Sequence, residues 1–251
     1  MKKILNTLTF ICYFICFISI ASSITSLYTK EVLGEEKIIP IYRVKTDEKK
    51  VAITFDLAWE SFDMFDILNI LKENNIKSTF FICGYWIDDN PEIVKAIYNE
   101  GHEIASHGDR HKHANELNYE ENKKEITEVK RKAKELLDID INLFRAPYGE
   151  YNNILMTAAK DTDTYVIQWD VDSHDWLNKG VDYEVNQVIN NKNLNNGSII
   201  LFHSGTKTTP KSLEIIIDEL KNKGYSFDTI GNMIYKDNYE ISYSGEQIQK
   251  K

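Results

Sequence analysis

The strongest constraint on this chain is an alternation of two periods. From residue 49 onward, short apolar runs such as "VAITF" (51–55), "STFFIC" (78–83) and "SIILF" (198–202) give way repeatedly to longer amphipathic stretches. A short apolar run bounded by turn residues reads as a buried strand. Apolar residues recurring every three or four positions read as a helix. A helix over 119–137 puts Ile126, Val129, Ala133 and Leu136 on one face, and one opening at Thr209-Pro210 does the same with Leu213, Ile216, Ile217 and Leu220. Residues 90–101 carry Asn90 as a cap, Pro91 at the first helical position and Gly101 just past the end. About seven strand–helix units without an internal repeat imply an α/β fold, a parallel sheet with helices outside it. Whether that sheet closes into a barrel or stays open, ligands bind beyond the carboxyl ends of its strands.

Length and charge narrow the partners. A chain of 251 residues suits one domain of moderate size or two small ones. Its net charge of −9 argues against nucleic acid as a partner but is compatible with a neutral or acidic glycan. Of three cysteines, Cys12 and Cys16 lie in the apolar N-terminus, so Cys83 has no disulfide partner in the globular part. Lys2 and Lys3 precede an uncharged stretch from 4 to 29, which reads as a signal peptide or an N-terminal membrane anchor. The positive flank stays inside, so the remainder is exported to the cell envelope, anchored or secreted. Residues 30–48 read as a polar linker, 49–235 as the folded domain and 236–251 as a frayed polar tail. A monomer is expected.

The chemically capable side chains fall at strand ends. Asp56, His107, Arg145, Asp172, Asp175 and His203 each sit at or just after the end of an expected strand, so five segments converge on one rim. His107 and His111 are four apart, a spacing that suits a divalent ion when both imidazoles are neutral. His102 and His113 read as surface residues. Arg145, between Phe144 and Ala146-Pro147, should reach across the rim and clamp a carboxylate with both guanidinium nitrogens. If Asp175 reaches His203, the imidazolium form is favoured and His203 can act as a general acid. Trp59 either stacks on a ligand or packs under the rim.

In order, "TFD", "SHGDRH", "RAPYG", "DSHDW" and "LFH" resemble the five motifs of the NodB-homology polysaccharide deacetylases, the fourth carbohydrate esterase family, over about residues 49–235. The resemblance implies a distorted (β/α)7-type barrel with an open substrate groove at the C-terminal ends of the strands. It also implies hydrolytic removal of N-acetyl groups from the amino sugars of a cell-wall glycan. On that resemblance Asp56 is the base that deprotonates the attacking water, and Arg145 holds it in place. His107 and His111 bind a divalent metal ion, zinc first and cobalt or another second. The Tyr148 backbone N–H stabilises the oxyanion. His203, tuned by Asp175, protonates the departing amine. Trp176 and Leu201 line the acetyl-methyl pocket.

One letter departs from the pattern. The first motif of the family has two adjacent aspartates, the second of them the third metal ligand, and here that place is Leu57. Water, Asp109, Glu60 or Asp56 itself are the candidates to fill it. "TFDLAW" is similar to a sporulation-associated branch of the family, which is linked to peptidoglycan or spore-cortex glycan. Three functions therefore stay open: an N-deacetylase, a non-catalytic glycan-binding protein on the same fold, and an O-acetyl esterase using the same site.

Overall fold

The computed structural model describes residues 36–250 together with Ile15, Ile18 and Ser19. After β1 (Arg43–Val44) and β2 (Lys50–Leu57), the chain runs through α1 (Met64–Glu73), β3 (Thr79–Ile82), α2 (Gly84–Asp89), α3 (Pro91–Asn99) and β4 (Glu103–Ser106). It continues with α4 (Tyr119–Leu137), β5 (Leu143–Phe144), α5 (Asn153–Asp161), β6 (Tyr165–Val166), β7 (Val171–Asp172) and α6 (Val181–Ile189). Then come β8 (Ile199–His203), α7 (Thr209–Asn222), β9 (Ser226–Phe227), α8 (Ile230–Met233), β10 (Tyr239–Ile241) and β11 (Glu246–Gln249). The chain divides into two units, residues 1–38 and residues 39–251, and all of these elements belong to the second.

Seven strands pair in the order β6-β5-β4-β3-β2-β8-β7, every pair parallel, and β9 lies alongside the start of β2. Parallel neighbours need long crossovers, which the helices supply. The result is the curled, open parallel half-barrel that the alternation and the motif resemblance imply.

Period-two alternation sorts each strand between two cores. Val51, Ile53, Phe55 and Leu57 of β2 join Phe80, Ile82, Ile200 and Phe202 in the larger cluster, packed against α1, α3 and α7. The intervening residues face the inside of the curl, where Ala52, Phe81, Ala105, Leu143 and Ile199 form a second cluster. Thr54 and Asp56 share that inner side. Register then pairs Asp56 with His203 on β8 and with Phe81 on β3. The acid at the end of "VAITFD" is thus an inward residue, and Leu57 is an outward one, fully buried.

Two expected boundaries are corrected. Residues 41–44 are not a spacer: Ile41 bridges Ile167, its N–H donates to Val166 O, and Ile41 and Val44 are each only 1% exposed. The tail beyond residue 236 is not frayed either. β10 and β11 pair antiparallel, and β11 pairs parallel with β1. Gln247 anchors the hairpin, fully buried, its amide accepting from the Tyr235 N–H and donating to the Tyr235 carbonyl. A polar strand secured by one satisfied amide carries no apolar signature, which is why its sequence reads as a tail. The expected signal peptide or anchor lies outside the described residues apart from Ile15, Ile18 and Ser19. Among the described residues, no helix is long and apolar enough to cross a membrane.

Candidate active site

At the carboxyl ends of the strands lies a cleft of about 580 Å³, lined among others by Asp56, Trp59, His107, Tyr148, Trp176 and His203. Asp56 and His203 line it, each paired with a fully buried group, Arg145 and Asp175 respectively. Asp56 Oδ1 accepts from Arg145 Nη1 at 2.7 Å, and the same nitrogen donates to Thr54 Oγ1 at 3.0 Å, while Nη2 donates to the Gln168 carbonyl at 3.2 Å. The expected two-nitrogen clamp is therefore a single bond. Arg145 is fully buried, its guanidinium centred 4.0 Å from the Phe81 ring, so the barrel interior dictates its angle of approach. The single bond leaves Asp56 Oδ2 unclaimed by the guanidinium, 3.6 Å from His107 Nε2. Burial by itself raises a carboxyl, but Arg145, His107 and His203 together outweigh it and hold Asp56 below the usual carboxylate range.

The second pair works in the opposite direction. Asp175 Oδ1 meets His203 Nδ1 at 2.8 Å, and Oδ2 accepts from the His203 backbone N–H at 2.7 Å and from Thr209 Oγ1 at 2.8 Å. Burial disfavours a charged imidazole, yet the Asp175 carboxylate more than offsets it and raises His203 above its ordinary value. Asp175 is fully buried with both oxygens engaged, so it can orient and tune but not exchange protons with a ligand. Asp172 serves a different end, accepting from the His174 N–H and from Trp169 Nε1.

The two histidines of the second motif come together as the spacing suggests, their ring centroids 5.0 Å apart. His107 Nδ1 lies 2.9 Å from the Arg145 carbonyl. A carbonyl only accepts, so this nitrogen carries the proton and Nε2 presents a lone pair. Burial pushes His107 down, and burial followed by the neighbouring His107 pushes His111 down to about 4. Both rings are neutral at neutral pH, as metal ligands must be. Two acceptors, His107 Nε2 and Asp56 Oδ2, thus face each other at 3.6 Å, an arrangement that a cation satisfies. The donor set fits a divalent ion.

At the rim, His111 and Tyr148 both take positive φ, 53° and 61°, a conformation uncommon outside glycine and found at functional sites. The Tyr148 hydroxyl is 3.2 Å from His111 Nδ1, and its ring stacks on His113 at 4.0 Å between centroids. Trp59 is 53% exposed and packs edge-on to His111, so it forms part of the cleft wall and does not lie under the rim. Trp176 is half exposed on the cleft and Leu201 is buried in its floor. His113 is exposed as expected, but His102 is not. His102 is buried against Phe80, its Nδ1 accepting from the Ser78 N–H at 3.2 Å, and burial pushes it down to about 4. One backbone N–H pointing inward at the start of β3 suffices to take an imidazole into the core, and spacing from a strand end does not reveal it.

A family model for polysaccharide deacetylase matches residues 43–167. A peptidoglycan-N-acetylglucosamine deacetylase of Bacillus cereus is 33% identical over 198 residues, covering 77% of this chain and 92% of that protein. This chain belongs to the polysaccharide deacetylase family. That family is a class of hydrolase, and the fold, the motif order and the cleft all agree with membership. The deacetylase PgdA of Listeria monocytogenes is 30% identical over 214 residues, covering 85% of this chain but only 44% of PgdA. Among solved structures, a CE4 family pseudoenzyme from Bacillus anthracis superposes with a TM-score of 0.74 at 26% identity, covering 84% of this chain and 73% of that one. A mutant of the same pseudoenzyme, with restored enzymatic activity, gives 0.74 at 29% identity, covering 78% and 71%.

Three participants in this polysaccharide deacetylase site escape a reading of the motifs. Trp169 lines the cleft, its ring 5.5 Å from the Arg145 guanidinium, and Thr209 holds Asp175 from α7. Cys83, the residue immediately after β3, lies with His107 and His111 in a group whose possible ligand atoms are all within 4.8 Å of one another. The strand-end rule that singles out Asp56 and His203 applies to Cys83 equally. Asp109 is instead held by Lys132 at 2.7 Å and Arg110 at 3.1 Å, and Glu60 packs against Gly205, so neither joins the histidine pair.

Proposed function

We propose that this chain hydrolyses the N-acetyl group of an amino sugar in peptidoglycan, N-acetylglucosamine in the first instance, at the exported face of the cell envelope. The observation that carries the reading is the pair of oppositely tuned groups on one cleft. Asp56 is kept ionised by Arg145, and His203 is kept protonated by Asp175. Water adds to the acetyl carbonyl carbon as Asp56 takes its proton, and the bond to nitrogen breaks as His203 gives a proton to the departing amine. Acetate and a free amino sugar result. A divalent ion, zinc first among candidates, would be held by His107 and His111 and would act as a Lewis acid on the acetyl oxygen. The Tyr148 backbone N–H is assigned to the developing oxyanion, and Trp176 and Leu201 to the acetyl methyl. Trp59, exposed on the cleft wall, is assigned to the sugar ring. The relatives named for peptidoglycan deacetylation support the substrate class.

The test is acetate release from N-acetylated peptidoglycan by the full chain supplied with zinc or cobalt, compared with Asp56→Asn and His203→Ala. Release by the unsubstituted chain that falls by about 10²–10⁴-fold in either variant is expected. Equal release from all three would reject the assignment. Parallel assays on O-acetylated glycan and on glycan acetylated only on its muramic acid residues settle which acetyl group is preferred. The likeness to a pseudoenzyme and the leucine at position 57 favour one second reading, a glycan-binding protein without turnover. Binding of the glycan without acetate release under any metal would select it.

A further inference from the structure

We propose that Cys83 is the third protein ligand of the metal site, its thiolate replacing the carboxylate that Leu57 cannot supply. The inference rests on the deacetylase reading for the presence of a metal, and on this chain's own geometry for the ligand. Three observations carry it.

The first is adjacency. Cys83 directly follows β3, which is paired with β2 so that Leu57 is opposite Ile82, and the Cys83 backbone N–H donates to the Leu57 carbonyl at 3.0 Å. Leu57 itself faces away from the cleft, into the core shared with the outer helices. Cys83 is buried in that same core, and what brings it to the site is the approach of its sulfur to the two imidazoles from below the rim.

The second is convergence. The Cys83 sulfur and the ring nitrogens of His107 and His111 form the one group of three or more potential metal-binding side chains found among the described residues. Their mutual spread of 4.8 Å or less is within small side-chain adjustments of a shared ion, given Zn–N bonds of about 2.0–2.1 Å and Zn–S bonds of about 2.3 Å. A Cys-His-His set leaves a fourth position open, as a catalytic site requires.

The third is charge. Both histidines are neutral ligands, and Asp56 is already paired with Arg145. A dication held by the imidazoles faces only the Asp56 carboxylate, whose charge Arg145 already balances, and one thiolate supplies further negative charge. Cys83 is a buried thiol whose Sγ lies 3.4 Å from the His107 carbonyl. On coordination the S–H bond breaks, the sulfur keeps the electron pair to bond the ion, and the proton passes to solvent.

The experiment is a cobalt(II) titration of the full chain in a Cys12→Ser/Cys16→Ser background, so that Cys83 is the sole thiol. The expected result is a thiolate-to-cobalt charge-transfer band in the near ultraviolet that saturates at one ion per chain. Cys83→Ser should lose that band. Its zinc affinity should weaken by at least the roughly 10–100-fold that loss of an outer-shell partner costs. Cobalt bound at one per chain with visible bands but no charge-transfer band would overturn the proposal, as would failure to bind cobalt at all. The unsubstituted protein's spectrum decides the matter even if the serine variant does not fold. Acetate release is measured separately. Turnover without the band rejects Cys83 as ligand and leaves the deacetylase reading intact, whereas the band without turnover does the reverse.

Discussion

The two aspartate–cation pairs at the cleft are chemically alike and oppositely tuned. Asp56 gives one oxygen to a guanidinium that cannot lose its proton, so the carboxylate stays charged and its second oxygen stays available. Asp175 gives both oxygens away, to an imidazole, a backbone N–H and a threonine, and the consequence appears on its partner as a His203 that holds its proton. In both pairs the acid is buried, Asp56 near the end of β2 and Asp175 in the turn that follows β7. Under the proposed assignment, what separates base from acid is the partner's own pKa and the number of carboxylate oxygens left over.

The largest disturbance is expected at the first pair. Arg145→Met removes the cation hydrogen-bonded to a buried carboxylate and should cost about 3–5 kcal/mol of stability. Urea denaturation measures this, and acetate release should vanish with it. A variant as stable as the parent would mean that Asp56 does not depend on Arg145 for its charge.

Asp175→Asn tests the second pair. Activity should drop by about 10²–10⁴-fold, the range for a displaced general acid. The alkaline limb of the pH–rate profile should also move to lower pH. The sign follows from His203: its pKa is raised by Asp175, activity is lost as pH rises through that pKa, and removing the aspartate brings the loss earlier. An unmoved limb would assign the alkaline titration to another group.

His102 provides a contrast with no acid partner at all. Its pKa in the fold is about 4 against 6.5 for the free side chain. As pH falls from 6.5 towards 4, the unfolded chain takes up a proton that the folded chain does not. Stability should therefore decline by about 1.4 kcal/mol per pH unit from this residue. His203 has the opposite slope, its contribution present below 6.5 and lost as pH rises through its raised value. Urea midpoints at pH 7 and pH 5 for the parent and His102→Gln should show a shallower acid slope in the variant. Equal slopes would exclude His102 as the titrating group.

The smallest effect is expected at the rim. Trp59→Ala removes an exposed ring that touches His111 and His203 only edge-on or tilted. Stability should change by no more than about 1 kcal/mol. The value of KM for glycan should rise while kcat is largely kept, because stacking contributes equally to ground and transition states. A fall in kcat alone would place Trp59 in the positioning of the two histidines.

Much of this site is legible in one dimension because strand ends are. A run such as "VAITFD" announces a buried strand, its direction and the rim onto which its last residue opens, and the same logic reaches His107, Arg145, Asp175 and His203. Period two also decides that Asp56 and Leu57 face opposite sides, since neighbours on a strand point apart. The limits are equally physical. His102 reads as a surface residue because its burial depends on one backbone N–H across the β3–β4 boundary. The hairpin of β10 and β11 reads as a tail because its security comes from pairing with β1, some two hundred residues earlier, and from a single satisfied amide at Gln247.

Sequence by itself determined which residue types reach the rim and in what order, because period and strand length are local properties of the chain. Tertiary structure alone decided how many nitrogens of Arg145 reach Asp56, which oxygens Asp175 has left, and that Cys83 stands beside His107 and His111. Those contacts join residues 24 to 89 positions apart, and their geometry is set by sheet register and core packing, which no local pattern encodes.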